Sequence, residues 1–311
     1  MAYGLATYQD TVRREDLTDV LTDVSPDSNP LMTMLKTTKA SGTYHEFLED
    51  YLSRPTSVST SIEGATATFS DLTQPSRRGN FTQIITKNFK VSGTESAVDV
   101  AGMGDPYDYQ AGKALKDWKN EAEYALVRGA AASGSSGVAR QMIGMDSVIT
   151  SHSTGVLSGC SLSETEFNNI VSDVWGDVGQ DDVFDMVLVP FGLKQKISSF
   201  TAGNTRYLDA EDKKLTRPVM VYESDGGVHR IFAHKDVKST HGGTASTSSN
   251  NGPTFMAIKE DKWRIAYLRP AKRTELPNVG DYKSGQIVGE LTLEYLAERT
   301  GARRWGYATT G

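Results

Sequence analysis

The sequence predicts an α+β fold, and three stretches carry that expectation. The first is a long helix that opens at Asp105-Pro106 and runs without a further proline to Gly129. The second is a set of alternating segments, Phe81–Thr94 and Gln286–Leu296 among them. Apolar and polar residues take turns there, as on a strand with one wet face. The third is residues 163–237, where a capped helix, an apolar strand, a second helix and a hairpin signal make a compact α/β unit.

The chain starts with an arm. Leu17, Val20, Leu21 and Val24 draw one short amphipathic helix, closed by the two prolines of Ser25–Pro30. Leu31, Met32, Met34 and Leu35 form a second small patch. Neither patch can form a core alone, so both must dock, on this chain or on a neighbour. From Thr43 to Val100 the reading is mostly β. Within it, the Ser/Thr-rich run before Phe81 holds few large apolar groups and carries Arg54, Glu63, Asp71, Arg77 and Arg78. It reads either as an exposed hairpin ordered by a partner or as a flexible surface loop.

In the long helix Asp105 suits the N-cap and Pro106 the first turn. Ala111, Ala114, Leu115, Trp118, Ala122, Ala125 and Leu126 then recur at three- and four-residue steps. The stripe is narrow, on a helix of roughly 24 residues and about 36 Å, so it reads as a strut. Ser163 and Glu166 form a capping box. The helix they open buries Phe167, Ile170, Val171, Val174 and Trp175. Phe184–Pro190 is a buried strand, Leu193, Ile197 and Phe200 share one helix side, and Asp225-Gly226-Gly227 is a hairpin turn. Lys238–Thr254 is a linker or exposed loop. After it come two strands around Glu260-Asp261-Lys262 and a closing strand.

Composition narrows the function classes. With 311 residues the chain can bury a large core, and 38% hydrophobic content is too high for disorder. A net charge of −6 argues against a dedicated nucleic-acid binder while leaving room for weak contact with packaged DNA. The lone Cys160 forbids an intrachain disulfide and reads as a small, partly buried side chain, because no Cys-His signature surrounds it. The polar N-terminus is unlike a signal peptide, and no apolar run approaches the roughly 18 residues of a membrane span.

The search for chemistry returns little. Gly102 and Gly104 precede a helix, but Tyr107 stands where a dinucleotide fingerprint needs its third glycine. His229 and His234 sit five apart on a strand, hence on opposite faces, and cannot share a metal. Carboxylate pairs such as Asp181-Asp182 lie in polar, turn-like contexts. Arg299, Arg303 and Arg304 beside Trp305 read as a salt-bridging patch, with base stacking as the alternative. No catalytic, cofactor or metal residue is expected, and no cofactor.

Several blocks carry a resemblance. They are Glu15–Leu35 (EDLTDVLTDVSPDSNPLMTML), Thr43–Phe47, Lys90–Gly129, Val187–Phe200, Val221–Asp236 and Lys262–Ala302 with its Leu-Arg-Pro and Gly-Asp. Taken in order they resemble the major capsid proteins of tailed phages of the SU10-like family, whose shells use the HK97-type fold. The resemblance implies an N-terminal arm at 1–42 and an extended β-hairpin loop at 43–90. It implies a peripheral domain from 91–137 and 255–311, with a spine helix at about 105–130, and an axial domain at 138–254. Function would then be self-assembly into hexamers and pentamers around double-stranded DNA, in a virion assembled in the host cytoplasm, with no membrane. Portal, scaffolding and decoration proteins would be partners, and scaffolding is expected to be separate or dispensable because the arm follows Met1 at once. Expected inter-subunit contacts are Arg54, Arg77 and Arg78 on the hairpin, Leu17 and Leu21 on the arm, and Trp118 on the spine. Two rival readings stay open: an encapsulin-type nanocompartment shell, and an intracellular α+β enzyme with an unrecognised site.

Overall fold

The computed structural model describes residues 29–52, 55, 57–67, 74–98, 104–156, 160–200, 221–237, 253–277 and 279–308. Leu17, Leu21, Arg54, the glycine pair at 102 and 104 in part, and most of the linker at 238–254 lie outside them. The elements, in chain order, are α1 (Pro30–Met34), β1 (Lys36–Lys39), β2 (Tyr44–Glu49), β3 (Ser76–Phe81), β4 (Gln83–Ser92), α2 (Gly93–Ala97), α3 (Pro106–Arg128) and α4 (Met145–Val148). There follow β5 (Ser153–Gly155), α5 (Glu164–Val178), β6 (Met186–Val189), α6 (Phe191–Phe200), β7 (Val221–Ser224), β8 (Gly227–Ala233), β9 (Thr254–Ile258), β10 (Trp263–Leu276), β11 (Tyr282–Tyr295) and β12 (Ala302–Trp305).

Two sheets organise them. Four strands run in the order β1-β10-β11-β4, and six in the order β5-β12-β9-β6-β8-β7. In the first, β10 and β11 form a long antiparallel ladder, and its register slips between Tyr267 and Lys272, where Arg269-Pro270 interrupts the pairing. Proline has no donor to give the ladder, so the Leu-Arg-Pro signature is a bulge. Helix α3 lies across β4 and β11. Glycines at 285 and 289 on β11 make room for it: a Cβ on Gly289 would stand 2.4 Å from Trp118 Cζ2, and one on Gly285 would meet Tyr107 and Phe89. Trp118 is 2% exposed and donates its indole N–H to the Ile85 carbonyl at 3.0 Å. The alanine stripe therefore belongs to the core, because small side chains let the helix axis approach the sheet. Leu115, expected on that stripe, is 39% exposed, while Tyr107, Glu123 and Val127 are buried instead.

The six-stranded sheet is covered on both faces. Along β6, Met186 and Leu188 join the core beneath α3, whereas Val187 and Val189 join a second core beneath α5 and α6. β9 splits the same way, with Met256 and Ile258 on one side and Phe255 and Ala257 on the other. That is why both read as continuous apolar runs. The capping signals hold: Tyr107 N–H meets Asp105 Oδ1 at 2.8 Å, and Glu166 N–H meets Ser163 Oγ at 3.2 Å. Ser224 pairs with Gly227 across the Asp225-Gly226 turn, as expected. Trp175 is a correction. The helical spacing places it on the buried face of α5, but it is 43% exposed, its indole N–H bonded to Gln180.

The C-terminal boundary is a second correction. The resemblance groups residues 255–311 with the long helix, yet β9 and β12 pair with each other, and β9 with β6, in the six-stranded sheet. Only β10 and β11 of that stretch lie in the four-stranded sheet beneath α3. Likewise β4, placed in the hairpin at 43–90, is a full member of the four-stranded sheet through its pairing with β11.

Candidate subunit-assembly surfaces

The hairpin is built from a short paired root and a long exposed end. β2 and β3 pair antiparallel from Tyr44↔Phe81 to Glu49↔Ser76. At the root, the buried carboxylate of Glu49 accepts Arg78 Nε at 3.0 Å, the Glu298 amide at 3.0 Å and the Tyr51 hydroxyl. Burial, reinforced by the Glu49 carboxylate, pushes the Tyr51 phenol well above its ordinary value. Arg77 lies 3.8 Å from Glu46 and is largely exposed. Beyond the root, the described residues between Asp50 and Gln74 form no strand. Leu52, Val58 and Ile62 project there at 100%, 88% and 85% exposure.

The arm's second patch docks within its own chain. Leu31 and Leu35 enter the core beneath α3. The carboxylate of Glu123, itself fully buried, accepts the Leu31 amide at 2.8 Å, the Met32 amide at 2.9 Å and His234 Nε2 at 2.8 Å. Two of those donors are first-turn amides of α1, which have no partner inside the helix. One side chain thus ties the arm, the long helix and the end of β8 together. Arg128, at the C-terminal end of α3, adds a bond to the Asp236 carbonyl.

His229, His234 and the C-terminal arginines are spent internally. His229 sits between the Phe184 carbonyl at 2.8 Å and Ser224 Oγ at 2.7 Å, on the opposite face of the sheet from His234. Burial holds its imidazole below the ordinary value. Arg303 pairs with Asp146 at 2.7 Å, Arg304 with Asp173 at 2.5 Å and Arg299 with Asp177 at 3.5 Å. That is the salt-bridging patch expected. Among the described residues no group of three His, Cys, Asp or Glu side chains could hold a metal, and no helix is long and apolar enough to cross a membrane.

The sequence model of the SU10 major capsid protein matches residues 4–307. The chain belongs to the SU10 major capsid protein family. Membership in that family makes it a shell-forming virion protein. Among curated proteins no sequence relative matches. Solved structures agree on the fold. The capsid of cyanophage A-1(L) is 11% identical with a TM-score of 0.70, covering 97% of this chain and 99% of that one. The capsid of an empty GTA particle is 10% identical at 0.66, covering 97% and 98%. The holo-SrpI encapsulin complex from Synechococcus elongatus PCC 7942 is 11% identical at 0.60, covering 100% and 98%. The architecture is thus the α+β, HK97-type capsid fold.

Set on that fold, the expected contact residues part company. Arg77 is exposed and remains available to a neighbour, and Arg78 is half committed to buried Glu49. Trp118 is corrected: it is inside the subunit and has no surface to offer. Sequence reasoning missed Glu123 and His234, because a glutamate beside an alanine stripe looks like an ordinary solvated charge. It also missed Leu52, Val58 and Ile62, although large aliphatics inside a Ser/Thr-rich run were a readable signal.

Proposed function

We propose that this family member is the major capsid subunit of a tailed phage, closing hexamers and pentamers into an icosahedral shell around double-stranded DNA. The exposed aliphatic side chains of the hairpin carry the reading: Leu52, Val58 and Ile62 join no core among the described residues, and a second copy is the occupant that repeats in every shell position. The six-stranded unit suits the axial domain, and the four-stranded sheet with α3 the peripheral domain and spine. Interfaces of obligate assemblies bury on the order of 2,000 Å² or more, and a long loop distributes such an area over a neighbour. Arg77, Arg54 and the arm would complete it. Contact with DNA is weak and non-specific in this reading, given the net charge of −6. Portal, scaffolding and decoration proteins are the further partners, and assembly takes place in the host cytoplasm.

An encapsulin-type shell is the second reading, favoured by the full-length match to the encapsulin complex. Negative-stain electron microscopy of the purified chain, with size exclusion, tests both. Closed shells or rings of five and six are expected, with nucleic acid rather than protein cargo in particles taken from the producing cell. A clean monomer that stays monomeric with candidate scaffold present would overturn the shell reading.

A further inference from the structure

A groove of about 610 Å³ opens between α1, the N-terminal half of α3 and β10, lined by Met32, Leu115, Tyr267, Pro270 and Ala271. It lies where β10 leaves its partner, since β1 pairs only with Arg264–Tyr267 and the bulge at Pro270 follows. The hairpin holds the complementary feature. Val58 and Ile62 are 88% and 85% exposed and join no core among the described residues. Ile62 opens a tight turn, its carbonyl accepting the Ala65 N–H at 3.1 Å, with Gly64 in the left-handed region at φ 77°. The turn gives the tip a defined shape with an isoleucine on it.

Alternation along β11 decides whose groove the tip can enter. Gly289 and Leu291 face α3: a Cβ on Gly289 would press on Trp118, and Leu291 is in the core beneath that helix. Glu290, Thr292 and Glu294 point to the other face, and there they hold the hairpin root. Thr82 Oγ1 donates to Glu290 at 2.6 Å, Thr292 Oγ1 to the Phe81 carbonyl at 2.9 Å, and His45 Nε2 is 3.4 Å from Glu294. A chain's own hairpin therefore starts on the far side of the sheet from its own groove.

We propose that the hairpin tip of one copy, with Val58 and Ile62, seats in the α1–α3–β10 groove of a second copy. The inference rests on the shell reading above and names the surface that receives the hairpin. Tip and groove on opposite faces of one sheet make a head-to-tail contact, in which every copy gives one hairpin and takes another. Contacts of that type close into rings when the rotation between copies allows. The charges agree. Glu63 is exposed beside Ile62, and Lys119 is exposed at the groove rim. Neither has an ion pair among the described residues, and seating the tip brings the two together.

The test is a disulfide between Ile62→Cys and Leu115→Cys in full-length chains carrying Cys160→Ser. Both positions are exposed, so an unchanged urea midpoint of the unassembled subunit checks that the variant folds. Isotope-labelled and unlabelled chains are mixed before assembly and mild oxidation, and linked peptides are read by mass spectrometry. Docking on a second copy gives links that mix the two isotope classes in statistical proportion. Links of a single class would place the tip in its own groove and overturn the proposal. A yield no higher than that of an Ile62→Cys/Val228→Cys control would also overturn it. Particles in the same preparation are counted by negative-stain electron microscopy. Closed particles without the link would overturn this contact and leave the shell reading standing. Neither particles nor link, with candidate scaffold present, would overturn both. Lys119→Glu should lower the yield several-fold, and adding Glu63→Lys should restore it; failure of the restoration would overturn the pairing of tip with groove.

Discussion

Replacing Glu123 by alanine should be among the most damaging single changes in the subunit. The native carboxylate accepts three hydrogen bonds, at 2.8, 2.9 and 2.8 Å, from two backbone amides and His234. Its own side chain is fully buried, and that of His234 is 1% exposed. Truncation strands two first-turn amides of α1 and leaves the imidazole in apolar surroundings without its partner. Charge-assisted bonds contribute about 1.5–3 kcal/mol each, so a naive sum overshoots, because α1 can lift away and admit water. Removing one member of a buried pair costs about 3–5 kcal/mol, and that is the expected loss. Glu123→Gln keeps an acceptor and should lose about 1–3 kcal/mol. Urea unfolding of the unassembled subunit, followed by tryptophan fluorescence, is a suitable assay, since Trp118 and Trp263 are both buried in the core that α1 seals. Glu121→Ala is the internal control. It sits two residues away, and its ion pair with Lys87 is solvent-exposed, so it should change stability by less than about 1 kcal/mol. If Glu123→Ala were no worse than Glu121→Ala, the clasp would not hold the arm.

Further outcomes are expected. Gly289→Ala should destabilise by about 1–3 kcal/mol, because its Cβ would press on Trp118 and on the Ala271 backbone. Gly112→Ala, on α3 with open space around its Cβ, should instead stabilise the same subunit by about 0.5–1 kcal/mol, both read by thermal unfolding. Arg303→Met should cost about 3–5 kcal/mol by leaving buried Asp146 without its cation, measurable in the same urea titration. His229 is held neutral in the folded chain, its folded pKa below the ordinary 6.5, chiefly by burial. The unfolded chain therefore binds the extra proton first, and stability should fall as pH drops through about 6.5 towards 5; His229→Gln should flatten that slope in denaturation midpoints taken across the range. Arg77→Glu should cut particle yield while leaving subunit stability within about 0.5 kcal/mol, whereas Arg78→Glu should also weaken the fold, since it opposes the buried Glu49 carboxylate; equal effects of the two on unfolding would contradict the assignment.

Much of the fold was legible because its signals are local. The caps at Asp105 and Ser163 depend on donors two and three residues away, and the turn at Asp225-Gly226 on two residues alone. The continuous apolar run of β6 announced a buried strand, whereas the narrow alanine stripe, which reads as a strut, is in the structure a close approach of helix to sheet. What misled was partner identity. The strands on either side of Glu260-Asp261-Lys262 read as neighbours, yet β9 enters one sheet and β10 the other. Ala302–Trp305 reads in sequence only as part of a charge cluster, although it is a strand whose two arginines are matched by acids 131 and 157 residues earlier in the chain, at Asp173 and Asp146.

Periodicity, capping and turn chemistry act over a few residues, so the chain by itself determined where most helices and strands form and which face of each is apolar. Several blocks spread along its length, each weak alone, were also enough to point to the capsid family. Tertiary structure alone decided which apolar face meets which. It placed Trp118 inside the subunit rather than between subunits, turned Glu123 from a surface charge into the clasp of the arm, and left Leu52, Val58 and Ile62 in water. Burial is a property of three-dimensional neighbours, and a glutamate or a leucine carries no mark in sequence of whether its neighbour belongs to its own chain, to another copy, or to the solvent.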